Sequence, residues 1–174
     1  MITIGIVICD LQHMDDAKAR VALASGPKAA DPVHDEIRSL LRRSLLQQAC
    51  ERYGIHNGVI LSAIGSLACV RYCDVEVLPD KKSGYGYGTV LCLDEPIELT
   101  GAGGVICSDA DGSINLHIHL NLSDKNGKAY GGHLVQGTKV LITADIVLGE
   151  IEGVNMLRQY DPDMDFFLLS PQQA

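Results

Sequence analysis

The chain has 174 residues, 47% of them hydrophobic, and a formal net charge of −8 at neutral pH. This length and apolar content suffice for one domain with a buried core, which excludes a disordered chain. The negative charge disfavours attraction to nucleic-acid phosphates, and the lack of Trp with only two Phe leaves few rings to stack on bases.

The first thirty residues carry the weakest pattern. Residues 3–9 are mostly β-branched or apolar and predict a short strand. Asp10 interrupts this run and no basic segment precedes it, so we expect no secretory signal. No stretch has transmembrane length, and no membrane partner is expected.

The cysteines lie in apolar runs and form no Cys-x-x-Cys pair. This spacing predicts reduced, buried thiols in a cytoplasmic protein. The prediction covers six residues: Cys9, Cys50, Cys69, Cys73, Cys92 and Cys107.

A long helix is predicted over residues 32–53. Asp31 and Pro32 suit its start, because Asp caps free backbone amides and Pro lacks an N–H that the first turn leaves unpaired. Apolar residues then recur at helical spacing, and Gly54 is the expected left-handed cap.

Short apolar runs separated by turn residues follow Gly54 and predict a sheet. Turns as short as 109–112 and 126–127 require mainly antiparallel neighbours, because a parallel connection needs a longer crossover. The expected fold class is α+β, with one long helix packed on a mostly antiparallel, strongly twisted sheet of about seven or eight strands. The predicted strands are residues 58–63, 67–77, 88–93, 97–100, 105–107, 113–122, 129–134 and 139–148.

Two further segments bear on this sheet. Residues 101–104, three of them glycines, predict a turn or bulge rather than a phosphate cradle, since no helix follows. Residues 139–148 are apolar without alternation, so this strand is expected to be covered on both faces, which in a small domain indicates a subunit interface.

The stretch 114–134 is the most informative. Apolar and polar residues alternate from Ile114 to Leu122, so a strand places His117 and His119 on one face. The Asn-Gly pair at 126–127 predicts a hairpin whose returning strand brings His133 within reach. Three neutral imidazoles are a typical zinc ligand set with an open position. The alternative is a solvent-facing side of an amphipathic strand, and the pattern leaves both open.

Other candidates are weaker. Residues 85–87, Tyr-Gly-Tyr, fit a loop that closes over a ligand, but the preceding Lys-Lys-Ser-Gly favours an ordinary solvated connection. The carboxylates Glu95, Glu98 and Asp145 lie in or beside predicted strands, and no pattern identifies any of them as catalytic.

Taken together, several segments resemble the plants-and-prokaryotes-conserved (PPC) domain family. The sharpest is Gly-Gly-His-Leu at 131–134 after a His-x-His strand. The resemblance implies a compact α+β domain that assembles as a homotrimer, with a metal, zinc first, on His117, His119 and His133. Glu98 departs from the small polar residue of many members. The matching segments are residues 54–58, 63–67, 95–101, 116–120, 124–127, 131–134 and 143–148.

The resemblance also suggests a domain organisation: an N-terminal strand and irregular segment at 1–30, a PPC-like domain at 31–150, and a tail at 151–174. We expect the tail to dock on the same domain or on a neighbouring subunit, because residues 166–169 are apolar.

Three functions are consistent with these observations. The favoured one is a metal-binding homotrimer that binds or transforms a small molecule; if it is an enzyme, Glu98 is a candidate base. The alternative is a DNA-binding transcriptional regulator, as prokaryotic members are sometimes described. Plant members bind DNA through a separate Arg-Gly-Arg-Pro motif, which this sequence lacks. The third is an interaction module with non-functional histidines.

Overall fold

The computed structural model describes residues 7–8 and 45–174 of the chain. Within these residues there is one helix, α1, at Leu45–Tyr53. The strands are β1 (Val7–Ile8), β2 (Gly58–Cys73), β3 (Val75–Val77), β4 (Tyr85–Tyr87), β5 (Leu91–Leu93), β6 (Ile97–Ser108), β7 (Ile114–Ser123), β8 (Ala129–Leu134), β9 (Lys139–Glu150), β10 (Val154–Asp161) and β11 (Phe166–Gln173).

The main sheet of the described residues has nine strands, in the order β1-β9-β2-β8-β7-β6-β10-β11 with β5 paired to β2. All its pairings are antiparallel except the one between β10 and β6. Strands β3 and β4 form a separate hairpin. The mostly antiparallel sheet is thus confirmed, with one strand more than expected.

The long helix is not supported. The described helix covers only the last part of the predicted 32–53 span, and residues 32–44 lie outside the described residues. Its end is as predicted: Gly54 has φ of 68°, and the N–H of Ile55 donates to the carbonyl of Cys50 at 2.9 Å. With the 3.3 Å bond from Gly54 N–H to the Glu51 carbonyl, this is a Schellman cap.

Four of the predicted strands merge into two longer ones. The predicted strands at 58–63 and 67–77 are continuous up to Cys73, with register shifts against β9. The predicted strands at 97–100 and 105–107 form the single strand β6. Residues 101–104 are therefore not a turn; a register shift lies just before them, between Leu99 and Gly101.

The core lies between α1 and one face of the sheet. Leu46, Ala49 and Cys50 of α1 are buried in the same cluster as the apolar face of β7. In β7, Ile118, Leu120 and Leu122 are buried as the alternation predicts, which directs the intervening residues to the opposite face.

The five described cysteines form no disulfide, while Cys9 lies outside the described residues. Cys50, Cys73 and Cys107 are buried as predicted, but Cys69 is half-buried and Cys92 is exposed. The prediction was wrong for Cys92 because it lies in the short strand β5, whose only described strand partner is β2.

Residues 151–174 dock on the sheet through the β10–β11 hairpin. Leu157 of β10 pairs with Ser108 at the end of β6, and β11 lies outside β10 at the edge of the sheet. In the part of the chain that the structure describes, no helix is long and apolar enough to cross a membrane.

Candidate metal centre

Strand β7 places His117 and His119 side by side. Their Nε2 atoms are 3.0 Å apart, and the stacked rings have centroids 5.0 Å apart at 23°. At this separation one Nε2–H donates to the lone pair of the other ring, so at least one imidazole is neutral. The pair follows from the strand period of two, which directs both side chains away from the core.

Strand β8 adds His133, which pairs directly with His119 across the sheet. The ring centroid of His133 is 4.9 Å from that of His117 and 5.3 Å from that of His119. Strand β8 can come this close because Gly131 has no side chain: a Cβ there would lie 2.6 Å from the carbonyl oxygen of Leu120.

The turn that sets this register is the predicted Asn-Gly hairpin. Gly127 has φ of 77° and its N–H donates to the Asp124 carbonyl at 2.9 Å. The Asp124 carboxylate accepts from the backbone N–H groups of Lys128 and Asn126 and from the Tyr130 hydroxyl. These bonds, that from Lys128 first, lower the pKa of Asp124 and keep it a charged acceptor at neutral pH.

Tyr87 contributes a contact that the sequence did not predict. Its ring stacks on His133 at 4.3 Å between centroids and 25° between planes. Residues 81–84 form the expected connection, with Lys81 and Lys82 exposed, but Tyr85–Tyr87 is strand β4. No local pattern marks Tyr87, because the contact depends on where the β3–β4 hairpin folds over the sheet.

Burial and positive charge lower the pKa values of two of these histidines, His117 and His133. Burial first, then the charges of His117, His119 and Arg158, lower the pKa of His133 to about 4. Burial, His119 and Arg158 likewise lower the pKa of His117. At neutral pH these imidazoles therefore have lone pairs available for a cation.

Among the described residues, His117, His119 and His133 are a group able to hold a metal ion, with one ligand atom from each within 4.8 Å of the others. Two nitrogens bound tetrahedrally to one zinc ion lie ~3.4 Å apart, so small side-chain rotations would complete the set. His133 Nδ1 is buried and has no hydrogen-bond partner. A buried nitrogen without a partner is costly, and a metal would satisfy it, so the cluster fits the ion.

Glu98 lies away from this cluster. It pairs with Ser123 at one end of the β6–β7 ladder, whereas His119 pairs with Gly103. Gly103 is five steps along the strand from Glu98, which corresponds to ~16 Å. Glu98 is thus not positioned as a base for chemistry at the histidines.

The space beside the cluster is open. A Cβ added to Gly103, the residue paired with His119, would meet no atom within 4 Å. His119 is itself exposed. A small molecule therefore has access to the His119 imidazole from this side.

Comparison with known proteins agrees with the resemblance. The profile of the Plants and Prokaryotes Conserved (PCC) domain matches residues 43–152. The bifunctional protein GlmU of Synechococcus sp. (strain JA-3-3Ab) is 33% identical over 123 residues, which is 67% of this chain and 17% of the relative. The chain thus spans about a sixth of the length of that relative.

Solved structures share the fold. A metal-containing protein of Archaeoglobus fulgidus is 27% identical with a TM-score of 0.61, over 75% of this chain and 84% of that one. A plant- and prokaryote-conserved protein of Pyrococcus horikoshii is 27% identical with a TM-score of 0.56, over 71% and 80%. A Bacteroides thetaiotaomicron structure named for DNA binding, 23% identical with a TM-score of 0.57 over 72% and 80%, shows the fold alone.

Proposed function

The chain belongs to the Plants and Prokaryotes Conserved domain family. On that premise we propose that His117, His119 and His133 hold a divalent metal ion, with zinc the favoured metal, and that this ion binds a small molecule. The observation that carries the proposal is the convergence of three imidazoles from two strands. The name of the Archaeoglobus fulgidus structure, a metal-containing protein, supports it.

The donor chemistry favours zinc over magnesium or calcium. Imidazole nitrogen is a common ligand for zinc and other late divalent metals, whereas magnesium and calcium prefer oxygen ligands. Among the described residues no carboxylate belongs to the group. A zinc ion on three imidazoles offers a further coordination position, where it would act as a Lewis acid toward a bound group.

The residues around the cluster have defined roles in this proposal. The stacked ring of Tyr87 fixes the plane of His133. Gly103 leaves room beside His119 for a ligand. The proposed activity is binding at this open side; a reaction would need a base other than Glu98, which lies away from the cluster.

Metal analysis of protein purified without added metal tests this proposal. We expect about one zinc per chain in the wild type and less than about a tenth of that in His117→Ala, because two imidazoles hold zinc far more weakly than three. His56→Ala is the matched control, since His56 is exposed and lies outside the group. Absence of metal from the wild type, or equal metal in His117→Ala, would contradict the proposal.

We also propose that the protein assembles as a homotrimer, as the resemblance implies. Large apolar side chains on the neighbouring strands β2 and β9 are exposed in the single chain: Leu61 by 51%, Ile64 by 54% and Ile142 by 59%. Exposed apolar groups on adjacent strands are typical of surfaces that bind another protein. They support a subunit contact at β9, the strand expected to be covered on both faces.

The DNA-binding alternative rests on names of proteins with the same fold. A net charge of −8 opposes the approach of a phosphate backbone, because binding to DNA depends on lysine and arginine side chains that replace condensed counterions. We therefore place metal-dependent binding of a small molecule first.

A further inference from the structure

Arg158 brings a positive charge to the histidine cluster from outside the matched family region. It lies in β10, beyond residues 43–152. The preceding residue, Leu157, pairs with Ser108, so Arg158 comes next to the turn that connects β6 to β7. The docked C-terminal hairpin therefore brings a guanidinium to the β6 side of β7, the strand that carries His117 and His119.

A chain of hydrogen bonds fixes this guanidinium relative to β7. Arg158 Nη1 donates to Asp109 Oδ1 at 3.2 Å, and Asp109 Oδ2 accepts from the Asn115 side-chain amide at 3.0 Å. Asn115 precedes His117 by two residues, so both side chains lie on the same face of β7. The guanidinium also stands over the Phe167 ring, 5.5 Å from its centroid. Two contacts from different elements thus orient it.

Arg158 brings a cationic group to this cluster although the whole chain is acidic, and its ion pair with Asp109 offsets part of that charge. The charge of Arg158 acts on both His117 and His133 and lowers their pKa values. A divalent ion on the histidines would add positive charge near this guanidinium, which an anion bound between them would neutralise.

Arg158 retains donors for such an anion. A guanidinium has five N–H donors in a planar fork, and the hydrogen bond of Arg158 to a described residue uses one nitrogen, Nη1. The side chain of Arg158 is 28% exposed to solvent. Planar forks of this kind pair with two oxygens of a carboxylate or phosphate.

We propose that Arg158 is the specificity-determining residue of the site and selects a small ligand that carries an oxyanion. This inference rests on the proposed function for the metal, but the anion contact belongs to Arg158 itself. The ligand class is a small carboxylate or phosphate whose oxyanion meets the guanidinium while another group faces the histidines.

The inference can be tested by titrating ¹⁵N-histidine-labelled protein with inorganic phosphate at constant ionic strength and neutral pH. Binding is measured from the NMR signals of the imidazoles. The titration is run once in EDTA and once with zinc, and repeated with acetate. In the wild type, phosphate should shift the signals of His117 and His133 saturably. In Arg158→Gln the apparent affinity should fall at least tenfold, and in Arg158→Lys by less, because charge remains but the fork is lost.

Arg71→Gln is the matched control, because Arg71 also pairs with one aspartate, Asp94, and is similarly buried, 25% against 28% exposed. It should retain the wild-type affinity. Thermal unfolding checks that each variant is folded. If Arg158→Gln is not folded, the comparison of Arg158→Lys with the wild type still tests the inference. Equal phosphate affinity in wild type and folded Arg158 variants, or no saturable shift in the wild type, would overturn the inference.

Equilibrium dialysis of zinc on the same samples separates the two proposals. If the protein binds zinc and its phosphate affinity does not depend on Arg158, the metal site is supported and the anion contact is overturned. Arg158-dependent phosphate binding without zinc binding would support the anion contact and contradict the metal site.

Discussion

Burial and neighbouring positive charge act together on the imidazole of His133. They lower its pKa from 6.5 to about 4 in the folded chain. At this residue the unfolded chain then binds more protons than the folded one between these two values, so the contribution of His133 to the free energy of unfolding falls as the pH drops from ~6.5 to ~4.

We expect metal-free His133→Gln to lose less stability over this pH window than the wild type, by roughly 1–2 kcal/mol after allowance for solvent screening of a partly exposed group. Urea unfolding in EDTA at a series of pH values measures the difference. His56→Gln, at an exposed position, serves as the control and should follow the wild type. Parallel stability curves for His133→Gln and wild type would show that His133 is not responsible.

The close approach of β6 and β7 determines the position of the face of β7 that carries His117 and His119. A Cβ at Gly104 would stand 2.2 Å from the carbonyl oxygen of His117, whereas a Cβ at the adjacent Gly103 meets nothing within 4 Å. Backbone atoms of a paired strand cannot move aside as a flexible side chain can. Gly104 therefore permits the strand pairing that holds His117.

Substituting the two glycines separately should give different results. Gly104→Ala should cost about 1–3 kcal/mol, as overpacking does elsewhere, and should lower zinc content by displacing His117. Gly103→Ala should change stability by no more than about 0.5 kcal/mol. Urea unfolding combined with metal analysis tests both. Equal stability of the two variants would mean that β6 and β7 tolerate a wider spacing.

At the level of the whole molecule, the exposed apolar residues of β2 and β9 require an explanation that a single chain does not provide. Ile142 is 59% exposed although it lies in one of the longest strands. Burying such surfaces between copies is a common source of homo-oligomer stability.

For the proposed homotrimer, sedimentation equilibrium should give three times the chain mass of 18.7 kDa. Ile142→Lys should shift the distribution toward the monomer, because burial of a charged group in an apolar contact is unfavourable. Val77→Lys is the control, since Val77 is 70% exposed but belongs to the separate β3–β4 hairpin. A monomeric wild type, or an Ile142→Lys variant with the wild-type mass, would contradict the assembly.

Local chemistry made much of the sheet predictable. The alternation in β7, the Asn-Gly turn and the cap at Gly54 are each determined by neighbouring residues, so their patterns appear directly in the sequence. The same period of two placed His117 and His119 together, and the Asn-Gly hairpin brought His133 opposite His119. Continuity of β2 and β6 was missed because glycine usually marks turns, whereas Gly65 and Gly104 here allow close approach to the backbone of a paired strand.

The sequence by itself determined the three-histidine face, because strand period and turn geometry are local properties. Only the tertiary structure decided what surrounds that face. Tyr87 stacks on His133 from a separate hairpin, and the guanidinium of Arg158 comes from a strand far along the chain. Such contacts depend on how distant elements pack, and no spacing within one segment encodes them.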